Sequence, residues 1–351
     1  MRFSISATLD AIESRLSLDP ALAQAVVDVT DVVRLVALDG DTGRPARLPR
    51  LGHVIDALAR HRGENGVVVY PVAARSLLSD QDLSANERMV ARRWVDDGLV
   101  DMLTEPGDRV LEVAQALSVP VVGGRGLERY ADRYPWVAAA LLSPGPSGLV
   151  GRGEPPAVPG ASRLLGRLWQ CRQAACVGFG RPRGDQRPPR LVGGVPTCPV
   201  HDGRLADAGP RPSARVLVVS VDGAVRSRFV VREGAPVVVG RAPDPPPGTR
   251  AVTLAPWLGA TAMRWVSRTH VRLELRGDTL AVVDLSTNGT RVRAAAGTVR
   301  LVPGRPHPVA AEDVVELSDG VLVAPPGARV PGAAAPASIM SEAPTVSIRR
   351  P

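Results

Sequence analysis

Apolar and polar positions follow two different periods along this chain. From residue 1 to about 142, short β-branched runs alternate with stretches of helical spacing. From Arg215 to Ala324 the alternation runs every second residue and helical periodicity almost vanishes. In the first region, Asp19-Pro20 pairs an N-cap with a proline suited to the first helical position, predicting a helix to about Thr30. The apolar run Val32 to Leu38 predicts a first strand ending at Asp39-Gly40-Asp41. Leu51, Val54, Ile55, Leu58 and Ala59 share one face of a predicted helix over 51–62, and Val67 to Tyr70 predicts a second strand. Ser84-Ala85-Asn86-Glu87 is a capping box whose helix ends near Gly98. Leu99 to Leu103 and Val119 to Val122 predict further strands on either side of a helix over Asp108 to Leu117. Such strand–helix alternation implies a small α/β domain with a mainly parallel sheet over residues 1–142.

Composition marks the remaining boundaries. Residues 143–162 are rich in Pro, Gly and Ser and read as a linker. Residues 163–207 carry all three cysteines. Residues 213–325, with turns such as Asp222-Gly223, read as an all-β domain. Pro, Ala and Ser dominate 326–351, which predicts a disordered tail. The expected fold class is therefore multidomain: α/β, then a small cysteine-bearing module, then an all-β sandwich.

The chain has 351 residues, 44% of them apolar, as expected of a globular protein. All 43 basic side chains are arginine. The net charge of +8 permits an acidic partner or nucleic acid, but the arginines are dispersed, which favours a solvated surface over a nucleic-acid face. No apolar h-region follows the N-terminus and charges interrupt every long apolar run, so a soluble, cytoplasmic protein without a membrane span is expected. Three cysteines without a secretion signal direct attention to metal binding rather than a disulfide framework.

Three strings close successive β-like runs in the last third: Gly240-Arg241, Ser267-Arg268-Thr269-His270, and Asn288-Gly289-Thr290. In this order they resemble the signature of the forkhead-associated (FHA) domain, a β-sandwich that binds phosphothreonine peptides. A phosphate carrying nearly two charges calls for guanidinium, hydroxyl and amide donors held rigidly on loops. The resemblance implies that Arg241 and Ser267 contact the phosphate, that Arg268 and Thr269 add donors, and that Asn288 holds the peptide backbone. It implies that His270 braces the loop, while Gly240 and Gly289 suit tight turns. The segment Ala242 to Val266 is longer than usual in that family and carries Pro243, Pro245, Pro246, Pro247, Trp257 and Trp265, so peptide selectivity does not transfer. A phosphothreonine-dependent adaptor is implied, docking a phosphorylated protein such as a Ser/Thr kinase or its substrate. Thr345 in the tail, once phosphorylated, could occupy the same site.

Cys171-x4-Cys176 followed by Cys198-x2-His201 resembles a zinc ribbon. Thiolates and imidazole suit tetrahedral Zn²⁺, and four protein ligands make such a site structural rather than catalytic.

The strand–helix order of the first domain, with Asp39 at a strand end and Asp108 opening a helix, resembles the PIN/NYN class of metal-dependent ribonucleases. Where that class expects a further acid, the chain reads Gly123-Gly124-Arg125, and a guanidinium opposes a divalent cation. The resulting expectation is a small α/β domain used for protein contacts rather than catalysis, with a degenerate PIN-like fold as the alternative. The competing reading is an FHA-regulated RNA-binding or RNA-processing protein. The whole arrangement also resembles a group of FHA proteins from GC-rich bacteria.

Overall fold

The computed structural model describes residues 3–64, 66–157, 164–176, 179–180, 188–192, 195–198, 200–326, 328 and 338–340. Thr345 lies outside them. The chain forms two compact units: Met1–Gly63 with Val67–Arg211 and Ala337–Pro351, and Glu64–Gly66 with Pro212–Pro336.

The first unit is built on β1 (Val26–Asp28), β2 (Tyr70–Ala74), β3 (Asp101–Leu103), β4 (Val121–Val122) and β5 (Leu141–Gly145). They pair in parallel in the order β3-β2-β1-β4-β5, and β6 (Gly148–Val150) adds an antiparallel edge. Helices α1 (Phe3–Glu13), α2 (Val29–Val32), α3 (Arg50–Arg62), α4 (Ala85–Asp96), α5 (Gly107–Leu117) and α6 (Val137–Ala140) accompany the sheet. Successive residues of a strand point to opposite faces. Val27 accordingly joins a core with Leu51, Leu58 and Trp94, while Val26 joins another with Tyr70, Val110 and Leu141. Both faces of the central strand are buried, as a parallel sheet requires.

The first strand is not where the apolar run predicts it. The Asp28 carboxylate accepts the Asp31 N–H at 3.2 Å and caps α2, so the chain turns helical directly after Val26-Val27-Asp28. Val29 and Val32 are buried as helix residues, burial overriding their β preference. Asp19 only closes a turn onto the Ala21 N–H, and no helix follows it. Asp39 therefore follows a short 3₁₀ turn, Val36–Leu38, and Asp28 occupies the strand end instead. The Ser84 capping box forms as expected, and α4 closes before Gly98 at φ +69°. Residues 143–150, read as the start of a linker, complete β5 and form β6.

The cysteine-bearing segment contributes β7 (Arg167–Gln170), β8 (Arg190–Val192), β9 (Val195–Thr197) and β10 (Ala206–Pro210), paired antiparallel as β7–β10 and β8–β9. Buried Arg109 ties it to α5, donating to Asp101 at 2.8 Å and to the Pro188 carbonyl at 2.7 Å. The tail is not wholly without order: Ser338–Met340 sit on the first unit, with Ile339 in its core.

The second unit is a sandwich. One sheet runs β12 (Ala224–Arg232), β11 (Ala214–Val221), β21 (Val321–Ala324), β20 (Val314–Ser318), β17 (Arg291–Ala294), β18 (Gly297–Arg300). The other runs β14 (Arg250–Thr253), β13 (Val237–Gly240), β15 (Val271–Arg276), β16 (Thr279–Asp284), β19 (Pro306–Val309). Val219, Phe229, Val239, Leu273, Val282 and Val323 fill the space between them. The long segment after β13 supplies β14 and a short helix, α7 (Ala260–Trp265).

Candidate functional site

The first two loop strings of the second unit meet through main-chain hydrogen bonds, and side chains join the third to them. Arg241 N–H donates to the Ser267 carbonyl at 3.0 Å, and Ala242 N–H to the Arg268 carbonyl at 3.2 Å. These bonds demand a close approach at Gly240, where a Cβ would fall 2.1 Å from the Arg268 oxygen. Glycine is required there by space rather than by dihedral angle.

His270 is fully buried and organises the loop around it. Its Nδ1 accepts the Ser267 N–H at 3.0 Å, which places the ring proton on Nε2. Burial pushes its pKa down to about 4, against a weaker pull from Asp284. The ring is neutral at physiological pH and acts as a brace.

Ser267 Oγ accepts the Thr287 N–H at 3.0 Å, leaving its own proton free to donate outward. Asp284, fully buried at the end of β16, holds the third string. It accepts from Ser286 N–H and Oγ at 2.9 and 2.7 Å and from Thr290 Oγ1 at 2.8 Å. These donors hold its carboxyl below the usual range even though burial opposes them. Asp284 and Ser286 stand just ahead of the third string and were not singled out from the sequence. They are the internal frame of the loop, and Gly289 at φ +90° completes its turn.

Asn288 Nδ2 donates to the Trp265 carbonyl at 2.9 Å and thereby anchors α7 beside the loop. Arg300 donates to the Asn288 carbonyl at 3.0 Å. A groove of about 560 Å³ opens there, lined by Trp265, Asn288, Arg291, Arg300, Glu316 and Asp319. Arg291 is paired with Glu316 at 2.7 Å. Arg241 and Arg268 make no ion pair among the described residues. The geometry thus sets two uncommitted guanidiniums and a free hydroxyl proton on adjoining loops, a donor set suited to a dianion.

The second cluster lies in the cysteine module. The ligand atoms of Cys171, Cys176, Cys198 and His201 all fall within 4.8 Å of one another, and all three thiols are buried. Cys176 and Cys198 sulfurs stand 3.7 Å apart, and Cys171 Sγ is 3.1 Å from His201 Nε2. A tetrahedral zinc with thiolate and imidazole ligands has edges of roughly 3.5–3.8 Å; the Cys176–Cys198 pair matches this and the Cys171–His201 pair is closer, so the donor set suits such an ion in kind. Turns position the ligands: Gly180 N–H returns to the Cys171 carbonyl at 3.1 Å and Cys198 N–H reaches the Gly203 carbonyl at 2.8 Å. Gly203 N–H also donates to His201 Nδ1 at 3.0 Å. A metal bound at Nε2 requires the ring proton on Nδ1, so capture switches the tautomer and gives up this bond. Among the described residues, Leu205 and half-buried Trp169 pack against the three cysteines.

In the first unit, Asp39 is bound by Arg47 at 2.9 Å and Arg50 at 3.1 Å, and Asp108 by Arg133 at 2.7 Å. At the end of β1, burial pushes the Asp28 carboxyl up to about 6. Asp31 accepts the Gly124 N–H, so that glycine string serves a carboxylate of its own chain.

Comparison with known proteins identifies the second unit. Residues 237–318 match the family model of the FHA domain, so the sandwich is an FHA domain, with β11 and β12 lying ahead of the matched residues. Solved structures similar to this chain include the FhaA FHA domain complexed with the intracellular domain of Rv3910, at 27% identity, covering 32% of this chain and 98% of that one, TM-score 0.22. Another comes from a study of phosphothreonine-dependent FHA domain interactions, at 28% identity, covering 31% and 95%, TM-score 0.22. The FHA domain of human APLF with an XRCC1 bisphospho peptide is similar at 20% identity, covering 30% and 97%, TM-score 0.22. No curated protein matches the chain.

Proposed function

We propose that this protein is a phosphothreonine-dependent adaptor whose FHA domain docks a phosphorylated partner, a Ser/Thr kinase or a substrate of one. The observation that carries this reading is the pair of unpaired guanidiniums, Arg241 and Arg268, beside the Ser267 hydroxyl on loops braced by His270. Arg241 and Ser267 bind the phosphate, with Arg268 and Thr269 adding donors. Asn288 fixes the peptide backbone beside the phosphothreonine. The α7 insertion and its groove select the neighbouring peptide residues. Phosphothreonine binding by other FHA domains supports this reading.

The cysteine module holds one structural Zn²⁺ through Cys171, Cys176, Cys198 and His201. The ion supplies a cross-link between the two turns that carry its ligands. The RNA-processing alternative gains no support from Asp39 and Asp108, each held by arginine.

A phosphothreonine-peptide array probed with wild type and Arg241→Ala in parallel tests the reading. Wild type should retain a subset of phosphopeptides and none of their unphosphorylated forms. Equal retention by Arg241→Ala would overturn the site assignment.

A further inference from the structure

We propose that Ser338 is a phosphorylation site, and that its modification releases a tail segment docked on the first unit. Asp56 lies buried within α3, and three donors from the tail converge on its carboxylate. Ser338 Oγ donates to Oδ2 at 2.7 Å, Ile339 N–H to Oδ1 at 2.7 Å, and Met340 N–H to Oδ2 at 3.1 Å. Ile339 is only 8% exposed and belongs to the same core as Ile12, Leu51 and Ile55.

The helix is shaped for this segment. Gly52 stands four residues before Asp56, one turn away on the same face. A Cβ at Gly52 would come within 2.7 Å of the Met340 sulfur. An acid buried in mid-helix, a missing side chain one turn earlier and a buried isoleucine together make a receptor for Ser338-Ile339-Met340.

The Ser338 hydroxyl is the one member of this contact that a cell can convert into an anion. A protein kinase would transfer the γ-phosphoryl group of a nucleoside triphosphate to Oγ. The Oγ–P bond forms, the bond from the γ-phosphorus to its bridging oxygen breaks, and the hydroxyl proton leaves with the kinase's base. The product is phosphoserine and a nucleoside diphosphate. A donor facing the Asp56 carboxylate then becomes a group of nearly two negative charges. The hydrogen bond is lost and like charges meet at contact distance. In the docked state the hydroxyl is engaged, so the kinase acts on the released segment and phosphorylation holds it there.

Hydrogen exchange of the full-length chain, read by mass spectrometry, tests this with phosphoserine encoded at position 338. The amides of Ile339 and Met340 should exchange at least about tenfold faster than in wild type, while α3 and β1 amides stay protected as a control for folding. Ser338→Ala keeps both backbone bonds to Asp56 and should stay close to wild type. Gly52→Leu displaces Met340 without adding charge and should free the same amides. Unchanged protection with phosphoserine, or release by Ser338→Ala equal to that of phosphoserine, would overturn the charge mechanism. Chain isolated from its own cells under phosphatase inhibition should carry phosphate at Ser338, and an unmodified residue would overturn the assignment of the site.

Discussion

His270 offers a sharp quantitative test of the binding loop. In the unfolded chain its imidazole titrates near 6.5, whereas burial in the folded domain pushes it down to about 4. Above pH 6.5 the ring is neutral in both states and stability does not depend on it. As pH falls from 6.5 towards 4, the unfolded chain takes up a proton that the folded domain refuses. Stability is then lost at up to about 1.4 kcal/mol per pH unit, about 3 kcal/mol over the window. The peptide's phosphate titrates separately near pH 6, so affinity falls below that point while the loop is still intact. Histidine-selective NMR of the full chain measures the effect directly, because the sequence has only 5 histidines. The His270 signal should hold constant from pH 8 to about 5. Denaturation of the FHA domain between pH 7 and 4.5 should show the matching loss, and His270→Gln should flatten it. A His270 signal titrating near 6.5 would refute the claim that a neutral, buried ring braces Ser267.

Further outcomes follow from other sites. In the proposed site Arg241→Ala would remove a charge-assisted phosphate contact of about 1.5–3 kcal/mol and should weaken phosphopeptide binding roughly 10- to 100-fold by calorimetry. Gly240→Ala drives a methyl group into the Arg268 carbonyl, and should lower the thermal midpoint and abolish binding together. Cys198→Ser should reduce bound zinc from about one per chain towards zero, read by atomic absorption. The Asp28 carboxyl, raised to about 6, lowers stability as pH rises from about 4 through 6. Asp28→Asn keeps a cap on α2 and should raise stability at pH 7 by up to about 3 kcal/mol, read from urea unfolding, with no gain at pH 4.

The sandwich was legible because its strand alternation and loop strings are local signals. Gly240, Ser267, His270 and Asn288 each mark a place where one residue type meets a geometric demand. Asp284 was harder to weigh, since a buried carboxylate bonded only to its own loop looks like any turn aspartate in sequence. The first strand was misplaced because Val26-Val27 is too short to stand out, and the longer run beginning at Val32 drew the assignment. What decided the matter was the Asp28 cap and the burial of Val29 and Val32, which depend on the packed sheet. The contact of Asp56 with Ser338 joins residues 282 positions apart. No window of sequence contains it, and the Pro- and Ala-rich composition around Ser338 argued for the opposite.

That return of the chain changes what kind of object the FHA domain is. Its polypeptide leaves the first unit at Arg211 and rejoins it at residues 338–340, so the domain is a loop inserted into another fold rather than an appendage. A loop held at both ends samples a smaller volume than a tethered end, and the difference is entropic. Docking Ser338–Met340 therefore has to offset the closure entropy of the whole excursion from Arg211.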